Sequence, residues 1–256
     1  MWIKTAVYAN DIGRLEFKKT GSLYMSSIDM TGNAVGADTE ELLGAAGSIT
    51  TGLKYQAKTI PASFQFADLE KGGAERDRIA AIFSPMLYGV LTVFTEDDVY
   101  RIDCRPAEKP VFVRSDKVDY IWSWKVDFYA DFPYWRKGYA QRRFTPSSTQ
   151  STVMSKTVNG TPVYIEFDSG CGGYFGINGN NFVVSTEHTE KIIINTQELI
   201  ATDENGNIKN NVIQNYASAP LVGAVMNYGK NTVFFSPSNN STPPLVRWWE
   251  LSEGVF

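Results

Sequence analysis

The stretch Tyr120-Ile-Trp-Ser-Trp-Lys-Val-Asp-Phe-Tyr-Ala-Asp-Phe-Pro-Tyr-Trp135 decides the reading of this chain. Tyr120, Trp122, Trp124, Val126 and Phe128 fall on one face of an extended segment, and Ser123, Lys125 and Asp127 on the other. Strict alternation of this kind marks a half-buried strand, because successive side chains of a strand point to opposite faces. Pro133 has no amide hydrogen to give to a ladder, so the strand closes at Asp131-Phe132-Pro133-Tyr134-Trp135. Composition changes beyond this phrase, which places a boundary there.

The chain has 256 residues, 43% of them apolar and 20% charged, enough for one large β domain or two modest ones. With 21 Gly, 11 Pro and 13% aromatic residues, it suits short strands and turns better than long helices. Residues 1–143 carry 19 Lys and Arg against 19 Asp and Glu, whereas residues 144–256 carry 5 against 9 and supply the whole net charge of -4. No basic stripe is present to neutralise phosphates, which argues against nucleic-acid binding as the main activity. Met1-Trp-Ile-Lys-Thr5 lacks the basic and apolar regions of a signal peptide, and no run approaches the roughly 18 apolar residues of a span. The expectation is a chain made in the cytoplasm and not inserted into membrane.

The first half reads as β with one helix. Strands are expected at Trp2–Tyr8, Ile60–Phe66, Val90–Phe94, Val99–Cys104 and Val111–Arg114, ahead of the Tyr120 strand. Thr95-Glu96-Asp97-Asp98 is a hairpin loop between two of them. From Gly73 to about Met86, the apolar residues Ile79, Ile82, Phe83 and Met86 follow the helical template, with Pro85 and Gly89 at its end. Thr20–Gly52, rich in Gly, Ser, Thr and Ala, reads as an irregular arm too long to be an idle loop.

Residues 144–157, with Thr145-Pro-Ser-Ser-Thr-Gln-Ser-Thr at their start, read as a linker. The remainder is β, with strands expected at Val163–Asp168, Asn181–Thr186, Lys191–Thr196, Thr232–Ser236 and Val246–Leu251. Asp203-Glu-Asn-Gly-Asn207 is a hairpin signal. Regular short strands of this kind suggest a sandwich.

Catalytic signals are sparse. His188 is the only histidine, in the polar turn Thr186-Glu-His-Thr189, and reads as a solvated turn residue. There is no Gly-x-Ser-x-Gly elbow, and neither Cys104 nor Cys171 lies in a nucleophile motif. The two cysteines are compatible with a disulfide or with two reduced, partly buried thiols, and the tendency of free Cys to be buried favours thiols. The carboxylates Glu40-Glu41, Asp97-Asp98 and Glu166/Asp168 read as solvated charges rather than a glycosidase pair. Gly170-Cys-Gly-Gly173 and Gly176-Ile-Asn-Gly179 have glycines but no following Lys-Ser/Thr, so they read as tight turns. Tyr164, Tyr174, Phe175, Tyr216, Tyr228, Trp248 and Trp249 could build a sugar-stacking platform, although core or interface is the simpler use. No residue is nominated as catalytic, cofactor-binding or metal-ligating.

Taken in order, these landmarks resemble the distal tail proteins of long-tailed phages and prophages. The resemblance rests on Gly13-Arg14, Ile60-Pro-Ala-Ser-Phe-Gln-Phe66, Glu75-Arg-Asp-Arg-Ile-Ala-Ala-Ile-Phe83, Leu91-Thr-Val-Phe94 and the closing phrase ending at Trp135. In the second half it rests on Val158-Asn-Gly-Thr-Pro162, Lys191-Ile-Ile-Ile-Asn-Thr196, Asn227-Tyr-Gly-Lys-Asn231 and Val246-Arg-Trp-Trp249. Asn195 and Tyr228-Gly229 depart from the family's usual aspartate and Pro-Gly.

The resemblance implies a mainly β chain in which residues 1–143 form a β-sandwich-like, ring-forming belt domain and residues 158–256 a galectin-like sandwich. It implies a non-enzymatic virion protein, without cofactor, assembled in the bacterial cytoplasm and located at the tail tip. Its expected partners are copies of itself in a hexameric ring, the tail tube protein, and the tail-tip hub and adhesins. The Thr20–Gly52 arm and the N-terminal strands would form the belt between subunits. The competing expectation is a carbohydrate-binding sandwich acting in host adhesion, against which stands the lack of a galectin-type set of sugar-contacting residues.

Overall fold

Alternating apolar residues dominate the first unit, and they close a barrel. The structure, a computed structural model, describes residues 3–31, 35–41, 48–55, 57–67, 73–147, 149–214 and 220–253. Trp2, Gly32-Asn33, Gly44, Gly47 and Tyr216 lie outside the described residues. The chain divides into one unit of Met1–Lys137 with Ser252–Phe256 and a second of Gly138–Leu251.

The first unit contains β1 (Ile3–Asn10), β2 (Arg14–Lys18), β3 (Leu23–Ile28), β4 (Val35–Glu41), β5 (Ser48–Tyr55) and β6 (Lys58–Ala67). Helix α1 (Ala74–Ile82) follows, then β7 (Gly89–Thr95), β8 (Val99–Pro106), β9 (Val113–Arg114), β10 (Ile121–Ala130) and the start of β11 (Trp135–Phe144). Neighbouring strands run β8-β7-β1-β2-β3-β6-β10, and β10 returns to β8 through Phe128 opposite Pro106 and Tyr129 opposite Arg105. Seven strands therefore form a closed barrel, which removes free edges that an open sheet would expose. The sandwich-like form expected for the first half gives way to this barrel because the end of β10 reaches β8.

Inside, Trp124, Val126 and Phe128 of β10 stand opposite Phe64, Ala62 and Ile60 of β6, and all six are buried. The face picked out by alternation is thus the barrel interior, although Tyr120 at its start is exposed. Helix α1 delivers the plug. Phe83, at its C-terminal cap, lies with its ring centroid between 5.1 and 6.1 Å from those of Tyr8, Phe17, Phe64, Trp124 and Phe128. The helix ends earlier than expected: Pro85 disfavours helical backbone before it, and Met86 is 87% exposed rather than part of the apolar face.

The expected irregular arm is largely strand. β3 belongs to the barrel, pairing antiparallel with β6. β4 and β5 form a separate antiparallel ribbon that pairs with no other strand among the described residues.

The second unit carries the rest of β11, then β12 (Gln150–Ser155), β13 (Tyr164–Phe167), β14 (Gly173–Ile177), β15 (Asn180–Val184), β16 (Ile192–Asn195), β17 (Ile200–Asp203), β18 (Ile213–Gln214), the short α2 (Pro220–Gly223), β19 (Gly229–Pro237) and β20 (Leu245–Ser252). One sheet runs β12-β19-β14-β15-β18 and the facing strands run β17-β16-β13-β20-β11. Their inner faces share one core, with the Phe167 ring of β13 6.0 Å from Phe175 of β14 and 6.2 Å from Phe235 of β19. The expected linker is instead partly β12, paired with β19 along its full length.

The two glycine clusters read as tight turns flank a central strand. A Cβ at Gly173 would lie 2.3 Å from the Ser236 carbonyl oxygen, and one at Gly176 would lie 1.7 Å from Asn181 Oδ1. Glycine here admits close strand approach. The turn to β15 is Asn178-Gly179, both at positive φ (53° and 88°), the backbone that a two-residue hairpin requires.

Candidate functional site

The ribbon β4–β5 leaves the barrel after Thr31 and returns at Lys58, so its root is the feature that any role of the ribbon must pass through. Lys58 opens β6 and is 6% exposed, unusual for a lysine. Its Nζ donates to the carbonyl oxygen of Thr31 and, at 2.9 Å, to that of Glu253. The same ammonium lies 5.9 Å from the centroid of the Trp135 ring, a cation–π contact. One buried cation therefore ties together both ends of the ribbon's root, the C-terminal segment and the last residue of the closing phrase. Burial pushes the Lys58 ammonium down to about 8, and the carboxylates of Asp29 and Glu253 oppose that shift. Asp29 is held below the usual carboxylate range chiefly by hydrogen bonds from Thr31, whose amide lies 2.9 Å away.

The rest of the closing phrase fastens the loop after α1. Tyr88 Oη donates to Asp131 Oδ2 at 2.6 Å, and the Arg105 guanidinium lies over Tyr129 at 5.4 Å and over Tyr88 at 5.7 Å. Phe132 and Tyr134 contact each other at 5.1 Å, while Trp135 is fully buried. Met86 and Tyr88 remain exposed beside this lock, as does Ile12 in the β1–β2 turn. Asn10 of that turn donates to the Ile82 carbonyl, so turn and helix end share one end of the barrel.

The residues weighed for catalysis are scattered and engaged elsewhere. Asp98 caps its own hairpin, accepting from the Val99 amide and pairing with Lys137 at 3.4 Å. Glu166 is buried between Lys191, at 2.7 Å, and Arg247, while Asp168 lies beyond the end of β13 in an exposed turn. Glu40 and Glu41 are in β4. His188 is not the solvated turn residue expected: it is 8% exposed, with its ring nitrogens 2.7 Å from the carbonyl oxygens of Glu190 and Cys171. It staples the Cys171 turn, a long-range pairing that sequence spacing does not reveal. Cys104 and Cys171 are free thiols, Cys104 fully buried and pushed well above the ordinary thiol range by that burial. Among the described residues no group of three or more His, Cys, Asp or Glu could hold a metal ion, and no helix is long and apolar enough to cross a membrane.

Nor do the aromatic residues of the second unit form one platform. Phe175 and Trp248 are core, Trp249 points to the opposite face from Trp248, Tyr164 meets Arg247 at 5.8 Å, and Tyr174 meets Phe234 at 5.4 Å. Tyr228 stands alone at 71% exposure.

No protein-family model matches the sequence, and no curated protein matches it. Solved structures do share the fold. The chain is similar to the Dit protein of phage SPP1, described as a paradigm of the hub adsorption apparatus in phages that infect Gram-positive bacteria. That match has a TM-score of 0.64 at 12% identity over 97% of this chain and 100% of that one. It is also similar to a chain of the phage P2 baseplate in its activated conformation with Ca, with a TM-score of 0.56 at 10% identity over the whole of both chains. The same baseplate with Sr gives 0.52 at 10% identity over 98% and 99%. At these identities the likeness concerns the fold, and it extends across both units.

Proposed function

We propose that this chain is a structural protein of a phage or prophage tail, of the distal tail type. Six copies form a ring that joins the tail tube to the tail tip and serves as the attachment hub for tip and adhesin proteins. The observation that carries this reading is the end-to-end likeness to SPP1 Dit, which takes in barrel and second unit together. A shared fold hosts many functions, so the ring is argued from the surface as well. The β4–β5 ribbon pairs with no other strand among the described residues, and free strand edges are ready-made sites for another chain. A ring requires head-to-tail contacts between two different patches of the same subunit, a role that a ribbon separate from the barrel sheet fits.

In this reading the barrel is the belt domain, the second unit is a galectin-like platform facing the tip, and the protein is located at the virion tail tip after assembly in the host cytoplasm. The reading assigns no catalysis. The test is electron microscopy of the purified chain beside a variant in which residues 33–56 are replaced by a short Gly/Ser linker. Rings from the intact chain and folded monomers from the variant support the reading; rings from both would remove the ribbon from it.

A further inference from the structure

The sequence holds three Asn-Gly steps, Asn159-Gly160, Asn178-Gly179 and Asn205-Gly206, and all three lie in turns of the second unit. Glycine has no side chain to shield its amide nitrogen, so at these steps the nitrogen can reach the side-chain carbonyl carbon of the preceding asparagine. Whether it does so depends on how firmly the two groups are held apart, and the three turns differ in this.

Asn178 is locked. Its Nδ2 donates at 2.9 Å to the Val225 carbonyl and to Asn231 Oδ1, and its Oδ1 accepts from the Thr232 amide at 3.0 Å. Turning this side chain toward Gly179 would break all three bonds. Asn159 is held at both reacting groups. Its Oδ1 accepts from the Tyr228 amide at 2.9 Å, and the Gly160 amide donates to Asn227 Oδ1, also at 2.9 Å.

Asn205 has no such restraint. It is exposed, and its side chain makes no hydrogen bond among the described residues. Asp203 organises the turn around it instead. Asp203 Oδ1 accepts from the amides of Asn205 and Asn207, both at 2.9 Å, and Oδ2 accepts from Asn207 Nδ2 at 2.8 Å. The Gly206 amide donates to the Asp203 carbonyl at 3.1 Å, the longest of these bonds and in an exposed position.

We propose that Asn205 is a site of spontaneous covalent modification, deamidation through a cyclic imide, and that hydrogen bonds protect Asn159 and Asn178 from it. The Gly206 nitrogen bonds to Asn205 Cγ, the Cγ–Nδ2 bond breaks, and the proton from Gly206 leaves with Nδ2 as ammonia. Water then opens the imide at one of its two carbonyl carbons. Opening at Cγ leaves aspartate, and opening at the main-chain carbonyl leaves isoaspartate, whose main chain runs through Cβ. Either product sets a new carboxylate beside Asp203, which is 2% exposed and already saturated by the donors of the turn. Isoaspartate also lengthens the main chain between the two amides that share Asp203 Oδ1. This inference does not depend on the ring.

The test is incubation of the full chain at mildly alkaline pH, folded and in denaturing urea, with each step followed by peptide mass spectrometry and fragmentation. In the folded chain, Asn205 should exchange NH for O faster than Asn159 and Asn178 by about tenfold or more, the scale of one or more hydrogen bonds that must break at the protected steps. In urea the three steps should react at similar rates. Asn205→Gln should remove the fast component and its isoaspartate from the folded protein. Conversion of Asn205 no faster than the other two in the folded chain would overturn the proposal. The same ranking in urea would overturn it as well, because the difference would then lie in the neighbouring sequence and not in the hydrogen bonds.

Discussion

The Lys58 ammonium donates a hydrogen bond to the Thr31 carbonyl, joining the residue where the chain departs for the β4–β5 ribbon to the residue where it returns. The buried charge has carbonyl oxygens and the Trp135 ring around it, with Asp29 and Glu253 as the acidic groups facing it. Desolvation costs this cation more than its partners return, which is why its pKa falls from 10.5 to about 8. A lysine lowered in the fold penalises stability below the folded value, and the penalty is relieved as pH rises toward the unfolded value.

The Lys58→Met variant should therefore be compared with wild type by chemical denaturation between pH 7 and pH 11.5. The contribution of Lys58 to stability should rise through about pH 8 and level off above pH 10.5, the ordinary lysine value. Cys104 and Tyr8, both raised by burial, act in the opposite sense above their ordinary values. They cancel in the difference between the two proteins. A difference that stays flat across this range would show that Lys58 is not buried as a cation.

Replacing residues 33–56 with a short Gly/Ser linker should leave the barrel intact. β3 already pairs with β6, and Thr31 lies within reach of the Lys58 side chain, so the closure spans little distance. Unfolding free energy should stay within about 1 kcal/mol of wild type. A deletion beginning at Thr20 should fail to fold, since it removes β3 from the barrel. Circular dichroism melts of the two variants separate these outcomes.

Phe83→Ala should destabilise the first unit by about 3–5 kcal/mol, the usual cost of deleting a buried aromatic ring. Met86→Ala, three residues on and exposed, should change stability by no more than about 0.5 kcal/mol. Equal losses would mean that the helix continues its apolar face through Met86.

Asn231→Ala should cost about 2–4 kcal/mol, because it strips hydrogen bonds from the buried turn beneath Tyr228 and leaves the Asn227 amide without its acceptor. Urea denaturation of the second unit, followed by Tyr and Trp fluorescence, measures it.

What was legible in the sequence follows from local periodicity. The Tyr120 strand, Ile60–Phe66 and the strands of the second half appear with small shifts because their alternation has one wet face and one dry one. β11 and β12 were not legible. Arg136, Arg142 and Arg143 and the run Gln150–Thr152 look like surface or linker, and only pairing with distant strands makes them β. β14 was hidden because Gly173 and Gly176 answer to close neighbours, not to turns. Barrel closure depends on two residue pairs between β10 and β8, far apart in sequence and without a local signature. The root at Lys58 was invisible for the same reason: it is assembled from segments whose spacing carries no motif.

The central claim is that copies of this chain close into a ring. Native mass spectrometry of the purified protein, with imaging of the same sample, tests it most directly. The account predicts a closed ring of about 170 kDa, six chains of 28.5 kDa, with a central channel. A strict monomer at every concentration tested, with the ribbon intact, would contradict it.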